Sequence, residues 1–253
     1  AGTGADTITS GTGNDTIYGG DGIDTITDTG GSNTLDGGDG NDSITVRTGS
    51  NTLDGGAGDD VLRVDRNYGG GNSSSFHGGL GNDRLEGYSE SDTYLFNRGD
   101  GQDVINDYNT SFTTGDNIGP NADTVVFGPG IAQSDLTIAK SGDHLLITIN
   151  DPNNPAATDQ ITIENWFLGG NNAYRVEYFN FADGSSLNMV QVQAIASTLT
   201  GTEGDDVING WAENNIITGL GGNDTITGGG GNDTIDAGTG ADTITSGTGN
   251  DTI

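Results

Sequence analysis

The 253-residue sequence contains no cysteine, so neither a disulfide nor a thiolate metal site is available to it. Only seven residues are Lys or Arg, against 37 Asp or Glu, and the formal net charge is −30. Such a charge repels phosphate, which excludes a nucleic-acid binder and disfavours docking on anionic lipid. Hydrophobic residues make up 30%, less than a uniform globular core uses. No apolar run is long enough to span a bilayer, so no membrane insertion is expected. The two histidines, His77 and His144, stand in neither an HExxH helix nor near a G-x-S-x-G elbow. No enzyme is predicted, and the many acids need another explanation than a glycosidase carboxylate pair.

What is abundant is glycine, at 47 residues, and acid that is spaced rather than blocked. Acidic chains with few aromatics are often disordered. Here the acids alternate with Ile and Val, a spacing that points to a bound cation. Read in nines from residue 1, the chain gives AGTGADTIT, SGTGNDTIY, GGDGIDTIT, DTGGSNTLD, GGDGNDSIT, VRTGSNTLD and GGAGDDVLR. GGLGNDRLE and GYSESDTYL follow an irregular piece. From residue 201 come GTEGDDVIN, GWAENNIIT, GLGGNDTIT, GGGGNDTID, AGTGADTIT and SGTGNDTI. The shared pattern is G-G-x-G-x-D-x-(large apolar)-x.

This pattern resembles the RTX, or haemolysin-type, calcium-binding nonapeptide, a signature of repeat architectures. The nine also has a physical reading of its own. Its glycines permit positive φ and tight turns. Its β-branched tripeptide, such as TIT, suits a short strand with one apolar side chain inward and two threonines outward. Two nines make a coil of 18 residues. Stacked coils predict an all-β, calcium-binding parallel β-roll with two sheets and a thin aliphatic interior. That interior would be Ile8, Ile17, Ile26, Leu35, Ile44, Leu53, Leu62, Phe76 and Leu85, then Val207 or Ile208 through Ile253.

Coils stack at about 4.8 Å. One edge would therefore carry Asp6, Asp24, Asp42, Asp60 and Asp83 as a ladder. Bare carboxylates at that spacing repel by roughly 3 kcal/mol per neighbouring pair at an effective dielectric of 20. A hard divalent cation removes the penalty, and Ca²⁺ suits carboxylate and carbonyl oxygens better than Mg²⁺ does. The resemblance implies the same ion at the same kind of site. The opposite edge carries Asp15, Asn33, Asn51, Ser74 and Asp92. There a hydrogen-bonded amide ladder replaces metal at Asn33 and Asn51, or carbonyls alone hold a weaker ion. The second array places Asp206, Asp224 and Asp242 on one edge and Asn215, Asp233 and Asp251 on the other. It has nine acids and no base, so it should fold only with cation.

Three domains are expected: an array over 1–95, a β-rich segment over 96–198, and a second array over 199–253. The middle segment, with "GDGQDVI", "NWF" and "FNFADG", resembles the haemolysin-type calcium-binding related domain. "HLLITIN" and "QITIEN" read as hairpin strands. Trp166, Phe167, Tyr174, Val176, Phe179 and Phe181 supply a bulkier core, and "SLNMVQVQAIAST" includes a short helix. By analogy with the family's turn, Asp100, Asp103 and Asp107 hold one more calcium, or else are solvated turn acids. The insertion "VDRNYGGGNSSSFH" at 64–77 adds five residues to a coil. It is an exposed loop or, through Arg63, Arg66 and Tyr68, a contact point.

Residues 1–17 and 237–253 are identical, at an offset of 236. The expectation is one unit of a tandem or head-to-tail fibre, adhesin or surface-layer protein, its partners being adjacent identical units. The resemblance implies type I secretion and an extracellular or cell-surface location. Alternatives are a middle segment that binds a cell-surface or glycan ligand, or an ice-binding face, although the threonine row that face needs is not sustained.

Overall fold

The computed structural model describes residues 1–65, 73–109, 118–119, 121–168 and 172–253. The chain divides into two compact units, Ala1–Met189 and Val190–Ile253. The first unit is built on two nine-stranded sheets. Sheet A runs β1 (Gly2–Thr3), β3 (Thr16–Asp21), β5 (Thr34–Asp39), β7 (Thr52–Ala57), β9 (Ser75–Leu80), β11 (Thr93–Phe96), β13 (Thr124–Phe127), β17 (Tyr178–Asn180) and β18 (Ser186–Asn188). Sheet B runs β2 (Thr7–Thr9), β4 (Thr25–Thr27), β6 (Ser43–Val46), β8 (Val61–Val64), β10 (Arg84–Glu86), β12 (Gln102–Ile105), β16 (Gln160–Ile163), β15 (His144–Ile149) and β14 (Leu136–Ser141).

From β1 to β12 the chain alternates between the sheets, one strand each per coil, and all these neighbours pair parallel. This is a parallel β-roll. Its register stacks one apolar residue per half-coil. Ile8, Ile26, Ile44, Leu62, Leu85, Ile105 and Ile163 pair in sequence across sheet B. Ile17, Leu35, Leu53, Phe76, Tyr94, Val125 and Phe179 do so across sheet A. All but Ile8, half-exposed in the first coil, are buried. Each contributes about 1.5–3 kcal/mol by leaving water. With only one such residue per nine, burial alone is a modest stabiliser.

The glycine pairs lie inside strands on one side. The six-residue strands of sheet A run through Gly-Gly, pairing Gly20, Gly38, Gly56 and Gly79. Gly38 has φ +106°, and a Cβ there would land on the Gly20 carbonyl of the preceding coil. Close coil-to-coil approach therefore demands glycine as much as the turn does.

The division expected at residue 96 is not a break in the sheets, because β11 runs across it. β13 and β17 extend sheet A in parallel, and β16 extends sheet B. Antiparallel additions then finish both sheets: β14–β15–β16 in one and β17–β18 in the other. The β15–β16 pair is the expected hairpin. Trp166, Phe167, Val176, Phe179 and Phe181 are buried, whereas Tyr174 is half-buried against Tyr108 at 5.1 Å between ring centroids. Arg66 and Tyr68 of the insertion lie outside the described residues. Arg63 is engaged across coils, donating from Nε to Thr45 Oγ1 at 3.0 Å.

The second unit starts with α1 (Met189–Ala196), which the division crosses at its first residue. One three-stranded sheet holds β19 (Thr198–Thr200), β21 (Ile216–Thr218) and β23 (Thr234–Asp236). The other holds β20 (Val207–Asn209), β22 (Thr225–Thr227) and β24 (Thr243–Thr245). All pairs are parallel. Ile208, Ile217, Ile226 and Ile235 form the core. Val207 points outward, which settles the choice between it and Ile208, and Ile253 is 70% exposed rather than interior.

Candidate metal centre

The position-6 aspartates form the expected ladder, joined by backbone rather than by carboxyl pairs. Asp6 N–H donates to Asp24 Oδ1 at 2.7 Å. The same bond repeats from Asp24 to Asp42 at 2.7 Å, Asp42 to Asp60 at 2.6 Å, Asp60 to Asp83 at 2.7 Å and Asp83 to Asp103 at 3.0 Å. The sequence steps are 18, 18, 18, 23 and 20 residues. The five-residue insertion thus leaves the ladder intact.

Each carboxylate spends one oxygen on the ladder and leaves the other over. The Oδ2 atoms of Asp24, Asp42, Asp60, Asp83 and Asp103 are buried and have no hydrogen-bond partner. Such atoms are expensive unless something electropositive faces them. For Asp24, Asp42, Asp60 and Asp83 the glycine five residues earlier, opening the same nonapeptide, keeps the space beside the carboxylate open. A Cβ on Gly55 would land on Asp60 Oδ2 and on the Gly78 carbonyl, Gly19 and Gly37 face the same conflict, and a Cβ on Gly78 would land on Asp83 Oδ2. A carboxylate oxygen and main-chain carbonyls of successive coils therefore converge on one small cradle. That donor set fits Ca²⁺, a hard cation taking oxygen ligands.

Without a cation the ladder is electrostatically strained. Burial first, then repulsion from neighbouring carboxylates, raises Asp60 to about 7, Asp83 to about 6 and Asp103 to about 8. Backbone N–H donation offsets only part of this. Asp42 is raised for the same reasons.

The opposite edge differs as its residue types dictate. Asp15 N–H donates to Asn33 Oδ1 at 2.7 Å, and Asn33 N–H to Asn51 Oδ1 at 3.0 Å. Asn33 Nδ2 occupies the role of the spare oxygen, donating to Asn51 Oδ1 at 3.0 Å and to Asp28 Oδ2 at 2.7 Å. Asn51 Nδ2 donates to the Gly49 carbonyl at 2.8 Å. The amides satisfy internally what a cation would otherwise satisfy. Asp28, which sequence reasoning passed over, is fully buried and also accepts from Ser10 Oγ and Gly30 N–H.

Further along, this edge regains its acids. Ser74 N–H donates to Asp92 Oδ1, Asp92 N–H to Asp123 Oδ1 and Asp123 N–H to Glu177 Oε2, each at 2.7 Å. Asp123 and Glu177 were missed because 31 and 54 residues separate these rungs. A signal was present: "DTYLF" at 92–96 and "DTVVF" at 123–127 pair residue for residue in β11 and β13. Burial, then repulsion from Asp107, pushes Asp92 and Asp123 far above the carboxylate range and Glu177 to about 7.

Asp100, Asp103 and Asp107 do not gather at one site. Asp103 lies within β12 and Asp107 two residues beyond its end, and four residues of extended chain span about 13 Å. Asp103 joins the first ladder, Asp107 sits beside Asp92 and Asp123, and Asp100 flanks His77. His77 is held between Asp54, at 3.1 Å, and Asp100, at 3.5 Å, which raises it to about 10. His144 Nδ1 accepts from Asn165 N–H at 3.0 Å.

The second unit repeats the scheme. Asp206 N–H donates to Asp224 Oδ1 at 3.0 Å and Asp224 N–H to Asp242 Oδ1 at 2.9 Å. On the other edge Asn215 N–H donates to Asp233 Oδ1 at 2.8 Å and Asp233 N–H to Asp251 Oδ1 at 3.0 Å. Asp224 and Asp233 again leave a buried Oδ2 without partner. Asp206 instead caps its own turn, its Oδ2 accepting from Thr202 N–H at 2.6 Å. Position 5 of the nine carries a second, exposed ladder that the repeat pattern does not specify, as where Asn232 N–H donates to Asn214 Oδ1 at 2.7 Å.

Residues 1–26, 27–62, 68–105, 196–226 and 218–253 match the RTX calcium-binding nonapeptide repeat, together more than half of the sequence. The chain belongs to the RTX family. Its repeats bind Ca²⁺ at multiple sites. Residues 144–189 match the haemolysin-type calcium binding protein related domain. The iron-regulated protein FrpA of Neisseria meningitidis serogroup C is 36% identical over 115 residues. That match spans 45% of this RTX chain and only 9% of FrpA. The crystal structure of the extracellular lipase LipA from Serratia marcescens aligns at 19% identity with a TM-score of 0.31, covering 66% of this chain and 37% of that one.

Proposed function

We propose that this RTX chain is an extracellular structural module, exported unfolded and made rigid by the calcium it meets outside the cell. The observation that carries the reading is the buried, unpartnered Oδ2 recurring in coil after coil beside turn carbonyls. A roll with so thin a core and so many raised carboxyls is poorly stable alone, and bound cation converts its ladder from liability to staple. Extracellular calcium modules bind at about 10⁻⁴–10⁻³ M, so the sites fill outside the cell and stay empty in the cytosol. Circular dichroism and sedimentation during a calcium titration test this. A chelated chain with the same β signal, compactness and melting temperature as the loaded one refutes it.

The module is proposed to be one period of an end-to-end array. Residues 237–253 repeat 1–17, so Asp242 is equivalent to Asp6 and β24 to β2. Among the described residues, both β2 and β24 are end strands of their sheets, each with one unpaired edge. A following period would add β4 to β24 in unbroken register and carry the Asp206–Asp224–Asp242 ladder on to the counterparts of Asp24 and Asp42. The intact mass of the native material tests it: a multiple far above 25.7 kDa is expected, and a 25.7 kDa species excludes a covalent array.

A further inference from the structure

We propose that Asp92, Asp107 and Asp123 together hold one further calcium ion, at a buried site distinct in construction from the repeat turns. Each offers a carboxylate oxygen, and the three oxygens lie within 4.8 Å of one another. Asp92 precedes β11, Asp123 precedes β13, and Asp107 follows β12, so three separate passes of the chain converge here. All three residues are buried, Asp123 completely. Asp123 Oδ1 accepts the Asp92 N–H, while its Oδ2 is enclosed and has no hydrogen-bond partner. Asp107 Oδ2 accepts from the buried Tyr94 hydroxyl at 2.7 Å, which fixes where that carboxylate points.

Gly87 supplies an independent sign that the space is kept clear. A Cβ there would fall on the Tyr94 hydroxyl and against Asp92 Oδ2 and Asp107 Oδ2. Among the described residues no Lys, Arg or His forms an ion pair with Asp92 or Asp123. Three carboxylates around one point, with a hydroxyl alongside, is a hard all-oxygen donor set. A repeat turn offers one spare carboxylate oxygen per rung and leans on carbonyls. More ligand charge means tighter binding, so this ion should load first. It ties β11 to β13 where the coil period ends and 31 residues separate the rungs, so its role is to lock the roll to its end segment.

The test uses the full chain. The wild type, dialysed into calcium-free buffer without chelator, is analysed for bound metal by mass spectrometry and then titrated with calcium by calorimetry. One ion per chain should remain, with an affinity at least about tenfold above that of the circular-dichroism transition of the repeats. Asp123→Asn keeps the acceptor for Asp92 N–H and should lose that ion while the repeat transition survives. Equal metal content in variant and wild type, or a wild type that fills all sites in one weak phase, overturns the proposal. A cluster that takes up only protons and no tight metal overturns it too. Should Asp123→Asn not fold, Asp107→Asn is measured, and the wild-type count of tight ions decides by itself. A tight ion without any repeat transition would sink the calcium-folding module and leave this site standing.

Discussion

Asp60→Asn should stabilise the roll without calcium and lose most of that advantage with it. In the wild type Asp60 Oδ1 accepts Asp42 N–H at 2.6 Å, and Oδ2 is buried beside the Gly55 and Gly78 backbone without a partner. Its pKa is raised from 3.8 to about 7, chiefly by burial. At pH 8 and without calcium, an ionised Asp60 therefore costs up to about 4 kcal/mol relative to the unfolded chain. Asparagine keeps the ladder acceptor, removes the charge and turns the spare atom into a donor facing a carbonyl, as Asn51 does with Gly49. The calcium-free variant should gain about 2–4 kcal/mol, or roughly 5–15 °C in Tm. With about 10 mM calcium most of that advantage disappears. A site with the affinity of extracellular modules contributes about 1.4–2.7 kcal/mol at that concentration, and each site using Asp60 loses it. Thermal melts in chelator and in calcium decide the matter. A variant that melts lower than wild type in chelator, or that keeps its full advantage in calcium, refutes the argument that the spare oxygen exists for a cation.

Three other outcomes follow from the same geometry. Asn33→Asp places a carboxylate against Asp28 Oδ2, where an amide now donates at 2.7 Å; the calcium-free chain should lose about 1–3 kcal/mol, recoverable only by added calcium, as chemical denaturation in both conditions will show. Gly55→Ala puts a methyl into the cradle of Asp60 Oδ2 and the Gly78 carbonyl, so calorimetry should find at least one ion fewer per chain and calcium-loaded Tm should fall. In chelator the melting temperature should be higher at about pH 5 than at about pH 8. Asp60, Asp83 and Asp103 are raised to about 7, 6 and 8, so between about pH 4 and 8 the folded chain keeps protons that the unfolded chain has released. The stabilisation is full below the unfolded value and lost as pH rises through the folded ones. A calcium-free Tm that is flat or rises with pH contradicts the raised values.

The period of nine by itself determined the roll, its two-sheet core and the first aspartate ladder. It could, because every coil meets a copy of itself one step away. A residue type at one position then states its own neighbours, so Asp24 faces Asp42, Asn33 faces Asn51 and Ile26 stacks on Ile44. The second array was legible for the same reason. Where the period fails, that logic fails with it. Asp103 continues the first ladder and Asp123 and Glu177 the second, yet the steps of 20, 31 and 54 residues follow from strands and loops inserted between rungs, not from any repeat. The sequence likewise marked 96–198 as a separate segment from its change of composition. Only pairing across β11, β13 and β17 and across β12 and β16 made it a continuation of the same sheets. The triad of Asp92, Asp107 and Asp123 belongs wholly to tertiary structure, since no spacing in the chain relates residues brought together from three separate passes of the backbone.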